Sequence, residues 1–272
     1  MSALSSDSLY EQLGLPSSPV IVDVRSEDDY LARPRLIPSA SRGDPERVEQ
    51  WAETLPRSRS IAVYCKRGGQ VGRSIATRLI DMGYPASFLE GGIEEWMSAG
   101  RATVRARPDL HAPGGSRWVT RERPKIDRLA CPWLVRRFID PDAQFFYTPA
   151  HRVRSDAETL RAEPYDIADV LFSHRGPRCS FDAFLDEFDL RDRVLDQVAQ
   201  IVRAADTGEL SLSREAPGLL AISLGLSANI TDDVLLLEQA MPIYDALYAW
   251  CKTARAETHA WPVNGDVRSG AS

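Results

Sequence analysis

The chain has 272 residues, of which 43% are hydrophobic and 26% charged, and its 33 basic and 39 acidic side chains give a formal net charge of −6. This composition excludes intrinsically disordered, collagen-like and disulfide-knot proteins and leaves room for one large or two medium globular domains. No apolar run approaches the roughly 18 residues of a membrane helix and no signal-peptide pattern is present, so we expect a cytoplasmic protein without a membrane partner.

The first hundred residues alternate short apolar runs with helical patterns. The helix predicted over 44–55 opens with Asp44 as its N-cap and Pro45 at its first position. Strands that alternate with helices indicate a parallel α/β sheet. The predicted strands are 19–25, 60–65 and 86–90, and the predicted helices are 44–55, 71–80 and 93–97.

The chemistry of this half is concentrated in one strand-to-helix turn. A thiol at the end of a parallel strand faces the free N–H groups of the next helix, which stabilise a thiolate, and glycines let the backbone curl around an anion. Two basic side chains add positive charge at the rim. The pattern favours a nucleophilic cysteine that carries a charged adduct over a thiol that only fills the core. The turn consists of Cys65, Lys66, Arg67, Gly68, Gly69 and Gln70.

Five short motifs stand out in this half of the chain: D-V-R at 23–25, the acidic E-D-D-Y at 27–30, I-P-S-A at 37–40, Y-C-K-R-G-G-Q at 64–70 and L-E-G-G-I-E-E-W at 89–96. With these motifs, residues 8–100 resemble a single rhodanese (sulfurtransferase) domain. The resemblance implies that Cys65 attacks the sulfane sulfur of thiosulfate or a related donor, becomes a persulfide, and passes the sulfur to a thiol acceptor. It also implies that residues 66–70 cradle the persulfide and that Arg25 belongs to the donor site.

Two positions depart from that family's pattern. The chain has P-R-L-I-P-S-A at 34–40 where the family has G-H-I-P-G-A, and it has Gln70 at a loop position often filled by Arg. A related class of protein phosphatases uses C-x5-R, in which the arginine holds the phosphate oxygens beside the thiolate. That activity is a poor third choice, because Val71 stands where the arginine is required.

The net charge differs strongly between three segments of the chain, which the total of −6 conceals. Residues 1–100 carry −3, residues 101–137 carry +7, and residues 138–272 carry −10. Pro and Gly interrupt every period between Val104 and Ser116, which indicates a linker. We therefore predict a rhodanese-like domain at 1–103, a linker at 104–115, a second domain at 116–253 and a flexible tail at 254–272.

The second domain is predicted to be a mainly helical α+β unit. Pro132 predicts that the helix over 126–139 starts or kinks at that residue. Caps of Asp, Ser and Thr and the apolar spacing support the helices. The predicted strands are 117–122 and 144–147, and the predicted helices are 126–139, 181–188, 194–205, 218–224 and a long one opened by Thr231.

Four motifs mark the second half of the chain: S-R-W-V-T-R-E-R-P-K-I-D-R at 116–128, A-C-P-W-L-V-R-R-F-I-D at 130–140, C-S-F-D-A-F at 179–184 and D-A-L-Y-A-W at 245–250. With these motifs, residues 116–252 resemble the C-terminal domain of chromate-resistance proteins. This resemblance links the proposed sulfurtransferase to chromate resistance.

An alternative function is that of a chromate-sensing or oxyanion-binding protein with a regulatory rhodanese domain. A third hypothesis is that the persulfide or the Cys179 thiol reduces chromate.

Seven cations between residues 117 and 137 form a basic segment in which Arg117, Arg121 and Arg128 are candidate oxyanion ligands. Arginine binds oxyanions through paired N–H groups, but such a run is more often a solvated face or a set of ion pairs. The acidic balance of the domain argues against nucleic acid as a partner. The expected partners are a small sulfur donor, a thiol acceptor and chromate or another oxyanion.

The sequence offers one weak candidate for a metal site and no sign of another cofactor. His174, Cys179 and Asp182 are spaced as H-x4-C-x2-D, which is not a standard ligand pattern. Another element would have to supply further ligands, such as Asp206, Glu238 or Asp245. The commoner interpretation is that Asp182 starts a helix and that Cys179, like Cys131, is a buried thiol. We therefore predict no cofactor.

Overall fold

Five short strands at the N-terminal end of the chain form one parallel sheet. Their apolar residues are buried on both faces, as is usual for parallel sheets covered by helices. The strands are β1 (Ser2–Leu4), β2 (Val20–Asp23), β4 (Ser41–Arg42), β5 (Ile61–Tyr64) and β6 (Ala86–Leu89). In the sheet they lie in the order β1-β6-β5-β2-β4, and each neighbouring pair is parallel. The computed structural model describes residues 2–110 and 114–256.

Helices cover both faces of this sheet. Leu9 and Trp96 pack on one face, and Val48, Ile75 and Leu79 pack on the other. The two-sided core confirms the predicted parallel α/β domain. The helices are α1 (Ser6–Gln12), α2 (Glu27–Leu31), α3 (Val48–Ala52), α4 (Gln70–Asp81) and α5 (Gly92–Ser98).

The prediction of a helix over 44–55 was wrong at its start. Helix α3 begins at Val48, and the Asp44 side chain does not cap it. The Asp44 carboxylate instead accepts a hydrogen bond of 2.9 Å from the Glu46 amide, which closes a local turn. Asp and Asn side chains compete in this way with helix formation, so a cap-like residue does not by itself mark a helix start.

Among the described residues, the second unit packs a small sheet against six α-helices. The elements are β8 (Arg117–Arg121), α6 (Asp127–Phe138), β9 (Gln144–Thr148), α7 (Val153–Leu160), β10 (Glu163–Pro164), α8 (Ser180–Glu187), α9 (Arg193–Thr207), α10 (Ala216–Asn229) and α11 (Asp233–Ala249). The three strands are parallel and lie in the order β10-β8-β9. This arrangement confirms the predicted α+β character. None of the helices in the described part of the chain has the length and apolar character that a membrane span requires.

Helix α6 runs through Pro132 and therefore does not start at that residue, while the other predicted alternative, a kink, stays a prediction. A proline has no N–H, and the carbonyl four residues earlier, that of Arg128, loses its helical donor. The Tyr165 hydroxyl donates a hydrogen bond of 3.2 Å to that carbonyl. A side chain distant in sequence therefore allows the helix to continue.

The two units meet through main-chain and side-chain bonds. The Ser39 amide donates to the Phe138 carbonyl at 2.7 Å, and the Arg35 guanidinium lies 2.7 Å from an Asp189 carboxylate oxygen. Within the predicted linker, Val104 and Arg105 form strand β7, which pairs antiparallel with β3 (Arg35–Leu36). The linker residues 111–113 and the predicted tail from 257 onward lie outside the described residues.

Candidate functional site

Cys65 lies directly after β5, at the carboxyl edge of the sheet and five residues before α4 begins. Only 7% of the residue is exposed, so Cys65 is largely shielded from solvent. A Cβ placed on Gly72, in the first turn of α4, would lie 3.4 Å from the Cys65 sulfur. A glycine at that position keeps the space beside the sulfur free for an added atom.

The turn after Cys65 is held by the start of α5. The Ile93 amide donates to the Cys65 carbonyl at 3.1 Å, and the Glu94 amide donates to the Lys66 carbonyl at 3.0 Å. Gly92 has a φ of +58°, and a Cβ on it would collide with the Cys65 carbonyl oxygen. The L-E-G-G-I-E-E-W segment therefore shapes the cysteine loop, although it lies more than twenty residues later in the sequence.

The loop presents main-chain donors to a ligand. Gly68 has a φ of +64°, which turns the backbone sharply after Arg67. Among the described residues, the amides of Arg67, Gly68 and Gly69 find no protein acceptor. Successive free N–H groups in such a turn form an anion-binding nest.

The basic rim of the loop is neutralised by acids. The Lys66 ammonium lies 2.6 Å from an Asp29 carboxylate oxygen, and the Arg67 guanidinium lies 2.8 Å from Glu94. A hydrogen bond from Lys66 lowers the pKa of Asp29, and Glu94 raises the pKa of Arg67. The main-chain donors are thus the part of the cradle that no acid occupies. The remaining loop side chain, Gln70, donates to the Ser74 hydroxyl at 3.1 Å.

Arg25 is not placed to bind a donor, contrary to the sequence prediction. Its side chain is 1% exposed and forms an ion pair with Asp23 at 2.6 Å. The remaining N–H groups donate to the carbonyl oxygens of Arg33 and Arg35 at 3.1 and 2.7 Å. Arg25 therefore fastens the segment around residues 33–35, where the family's usual G-H-I-P-G-A pattern is absent, to strand β2.

The arginines predicted to bind an oxyanion are engaged within the protein. Arg121 and Arg128 both pair with the buried Asp166, at 2.6 and 3.2 Å. The Arg117 guanidinium lies over the Phe146 ring, 5.0 Å from its centroid. The contacts of Arg121 and Arg128 match the ion-pair interpretation of the basic segment, and oxyanion binding by these arginines stays a prediction.

The structure brings together five side chains that the sequence scatters over eighty residues. The His174 Nε2 atom lies 3.2 Å from both Asp127 and Asp206 and 3.4 Å from Asp166. The Cys179 sulfur lies in an adjoining group that shares Asp127, since ligand atoms of Asp127, Cys179 and Asp206 all lie within 4.8 Å of one another. We call Asp127, Asp166, His174, Cys179 and Asp206 the acidic His/Cys cluster.

Burial and mutual charge perturb this cluster. Hydrogen bonds to Asp127 and Asp166 raise the pKa of His174 to about 10, so the ring is protonated at neutral pH. Burial, together with the neighbouring Asp127, raises the pKa of Asp206. Burial also raises the pKa of the Cys179 thiol far above its ordinary value. Neighbouring carboxylates thus contribute to the raised pKa of all three groups.

Of the ligands suggested from sequence, Glu238 and Asp245 are placed elsewhere, whereas Asp182 lies beside the cluster. The Asp182 carboxylate lies 3.6 Å from the Cys179 sulfur, and it accepts a hydrogen bond from the Cys179 amide at 3.1 Å and one from Arg203 at 2.8 Å at the start of α8. Glu238 pairs with Arg136, and Asp245 pairs with Arg137. Sequence reasoning identified His174, Cys179 and Asp206 but missed Asp127 and Asp166, whose neighbours in the chain carry no ligand pattern.

Comparisons with known proteins match the two units separately. Residues 5–99 match the model of the rhodanese-like domain, and residues 118–251 match the model of the ChrB C-terminal domain. Protein ChrB of Cupriavidus metallidurans is 34% identical over 142 residues, which are 52% of this chain and 42% of that protein. The chain thus spans less than half the length of this relative.

Solved structures with low overall similarity each cover less than two fifths of the chain. A rhodanese-related protein from Thermoplasma volcanium is 21% identical with a TM-score of 0.35, covering 39% of this chain and all of its own. A thiosulfate sulfurtransferase from Pseudomonas aeruginosa is 23% identical with a TM-score of 0.34, covering 38% of this chain and 19% of its own. By the two family models, the chain is similar to a rhodanese-like domain over residues 5–99 and to a ChrB C-terminal domain over residues 118–251.

Proposed function

We propose that the chain is a sulfurtransferase in which Cys65 forms a persulfide from thiosulfate or a related sulfane-sulfur donor. The observation that carries the proposal is the position of the Cys65 thiol beside a loop whose main-chain amides face no protein acceptor. A thiolate and a terminal persulfide are both anions, and N–H groups fixed in place stabilise each of them.

The reaction balances without an outside oxidant. The Cys65 thiolate attacks the outer sulfur of thiosulfate, a new S–S bond forms, and sulfite leaves with the electron pair of the broken bond. An acceptor thiolate then attacks the terminal sulfur of the persulfide. The products are an acceptor persulfide and the free Cys65 thiolate.

The loop's acids bear on the choice of donor. Asp29 and Glu94 neutralise Lys66 and Arg67, so a dianion such as thiosulfate gains little from these cations while the pairs are intact. A donor with less charge, such as a persulfide of a small thiol, loses less by this arrangement. We therefore expect loading from persulfide donors to be faster than loading from thiosulfate.

The ChrB C-terminal match supports a role in chromate resistance, the theme of the family that this domain resembles. A host that lacks the gene should regain growth on chromate when it expresses the wild-type chain and not when it expresses Cys65→Ser. Equal rescue by both would separate chromate resistance from the chemistry of Cys65.

The sulfur transfer itself is tested by mass spectrometry. After incubation of the full chain with thiosulfate or a glutathione persulfide, the peptide that contains Cys65 should gain the mass of one sulfur atom, and a reducing thiol should remove it. Cys251→Ser is the matched control, because Cys251 is 6% exposed and lies in the other unit. An unmodified Cys65 with every donor would refute the proposal.

A further inference from the structure

The acidic His/Cys cluster takes no part in the proposed sulfur transfer, and four separate elements build it. Asp127 lies in the first turn of α6, and Asp206 lies in the last turn of α9. Cys179 is the residue before α8, while Asp166 and His174 come from the segment that precedes it. These elements are separate in sequence, so the five side chains come close to one another only in the folded domain.

We propose that Asp127, His174, Cys179 and Asp206 bind one divalent transition-metal ion of the zinc class. Their donor atoms are two carboxylate oxygens, an imidazole nitrogen and a sulfur, and each of these is a type of ligand that zinc accepts. Sulfur and imidazole ligands select this class over magnesium and calcium, which prefer oxygen alone.

The charges around the cluster call for a cation at this place. Asp127 and Asp206 are 3% and 14% exposed in their side chains, and a carboxylate oxygen of each lies within 4.8 Å of the other. Two buried carboxylates repel unless a proton or a cation lies between them. The last turn of α9 adds to the cost for Asp206, since a helix C-terminus carries partial negative charge.

The arginines of the region do not meet this need. Arg121 and Arg128 turn to Asp166, and Arg203 turns to Asp182. The ionic contacts of Asp127 and Asp206 found among the described residues are those with His174. A metal ion at this point would place a positive charge beside both carboxylates.

An ion can reach the site from the side of His174. The His174 side chain is 41% exposed, whereas Cys179 is fully buried, so the histidine forms the outer wall and the thiol the inner one. When an ion binds, Cys179 and His174 release their protons to water, and the ligand atoms draw in to metal–ligand distances of about 2.0–2.3 Å.

Cobalt(II) titration of the full chain, freed of metal with a chelator, tests the proposal. We expect one Co²⁺ per chain, with a thiolate-to-cobalt absorption band in the near ultraviolet that one equivalent of Zn²⁺ removes. Cys179→Ser should abolish the band, and Asp206→Asn should weaken binding at least tenfold. Cys251→Ser and Asp245→Asn are matched controls and should bind as the wild type does.

The outcomes separate clearly. A wild-type chain that shows no thiolate band and less than one equivalent of bound ion overturns the proposal without recourse to variants. Weak binding that Cys179→Ser and Asp206→Asn leave unchanged means an adventitious ion only, which overturns it as well. Cys65→Ser should bind Co²⁺ normally, so the metal site and the sulfur transfer succeed or fail independently.

Discussion

The Lys66 ammonium lies 2.6 Å from the carboxylate of Asp29, so the cation next to the proposed nucleophile is paired with an acid from α2. Asp29 belongs to the acidic segment that follows D-V-R at 23–25, and Lys66 follows Cys65 directly. The pair therefore connects two segments that carry the rhodanese resemblance. It also reduces the positive potential that a dianionic donor meets at the loop.

Asp29→Asn should make the loop a better site for thiosulfate. Without its partner, the Lys66 ammonium can face the entering dianion, and we expect the apparent KM for thiosulfate to fall by about two- to fivefold at low ionic strength. The gain should shrink as salt is added. Steady-state sulfur transfer measured at several salt concentrations checks this.

Asp28→Asn is the control for that experiment, because it removes the same charge from an exposed neighbouring side chain. If both variants change the KM equally, the effect comes from overall charge and not from the Lys66 contact.

Gly92→Ala should destabilise the cysteine loop more than a positive φ alone explains. Gly92 and Gly100 have similar φ values of +58° and +70°. A Cβ on Gly92 would collide with the Cys65 carbonyl, whereas a Cβ on Gly100 would have no non-neighbouring heavy atom of the described residues within 4 Å. We expect Gly100→Ala to cost about 1 kcal/mol and Gly92→Ala at least about 2 kcal/mol in free energy of unfolding. Urea denaturation of the two variants measures both, and equal losses would contradict the role given to Gly92.

The sequence predicts the reactive turn well because the features that define it are contiguous. A strand, a cysteine, two glycines and a helix start follow one another within a dozen residues, and local rules cover all of them. The partners of Lys66 and Arg67 could not be predicted in the same way. Asp29 and Glu94 reach the loop only through the packing of α2 and α5 against the sheet.

The acidic His/Cys cluster also contains contacts between distant residues that the sequence does not predict. His174 and Cys179 are close in sequence, so they could be grouped, and Asp206 could be suggested as a distant third ligand. Asp127 lies in the basic segment between residues 117 and 137, and Asp166 lies in a stretch for which the sequence predicts no element. The sequence could not show that arginines of this basic segment turn to Asp166 and leave Asp127 beside His174.

Tyr165→Phe should destabilise the second domain by about 1 kcal/mol, because the Arg128 carbonyl loses the hydroxyl that replaces the missing Pro132 N–H. In a Pro132→Ala background the main chain regains that N–H, and the same tyrosine substitution should cost clearly less. Unfolding free energies of the two single variants and the double variant form a cycle. A strictly additive cycle would mean that Tyr165 does not compensate for the proline.

Acid should weaken the junction between the two units through Asp189. A hydrogen bond from Arg35 lowers the pKa of Asp189 below its ordinary value of 3.8. A carboxyl group with a lowered pKa stabilises the folded state above its unfolded pKa, and the stabilisation is lost as the pH falls through the folded value. Asp189→Asn should therefore lower stability near pH 7, by about 1 kcal/mol or less because the pair is partly exposed. Near pH 2.5 the variant and the wild type should unfold alike, and a difference that persists there would show that the carboxylate charge is not what Arg35 binds.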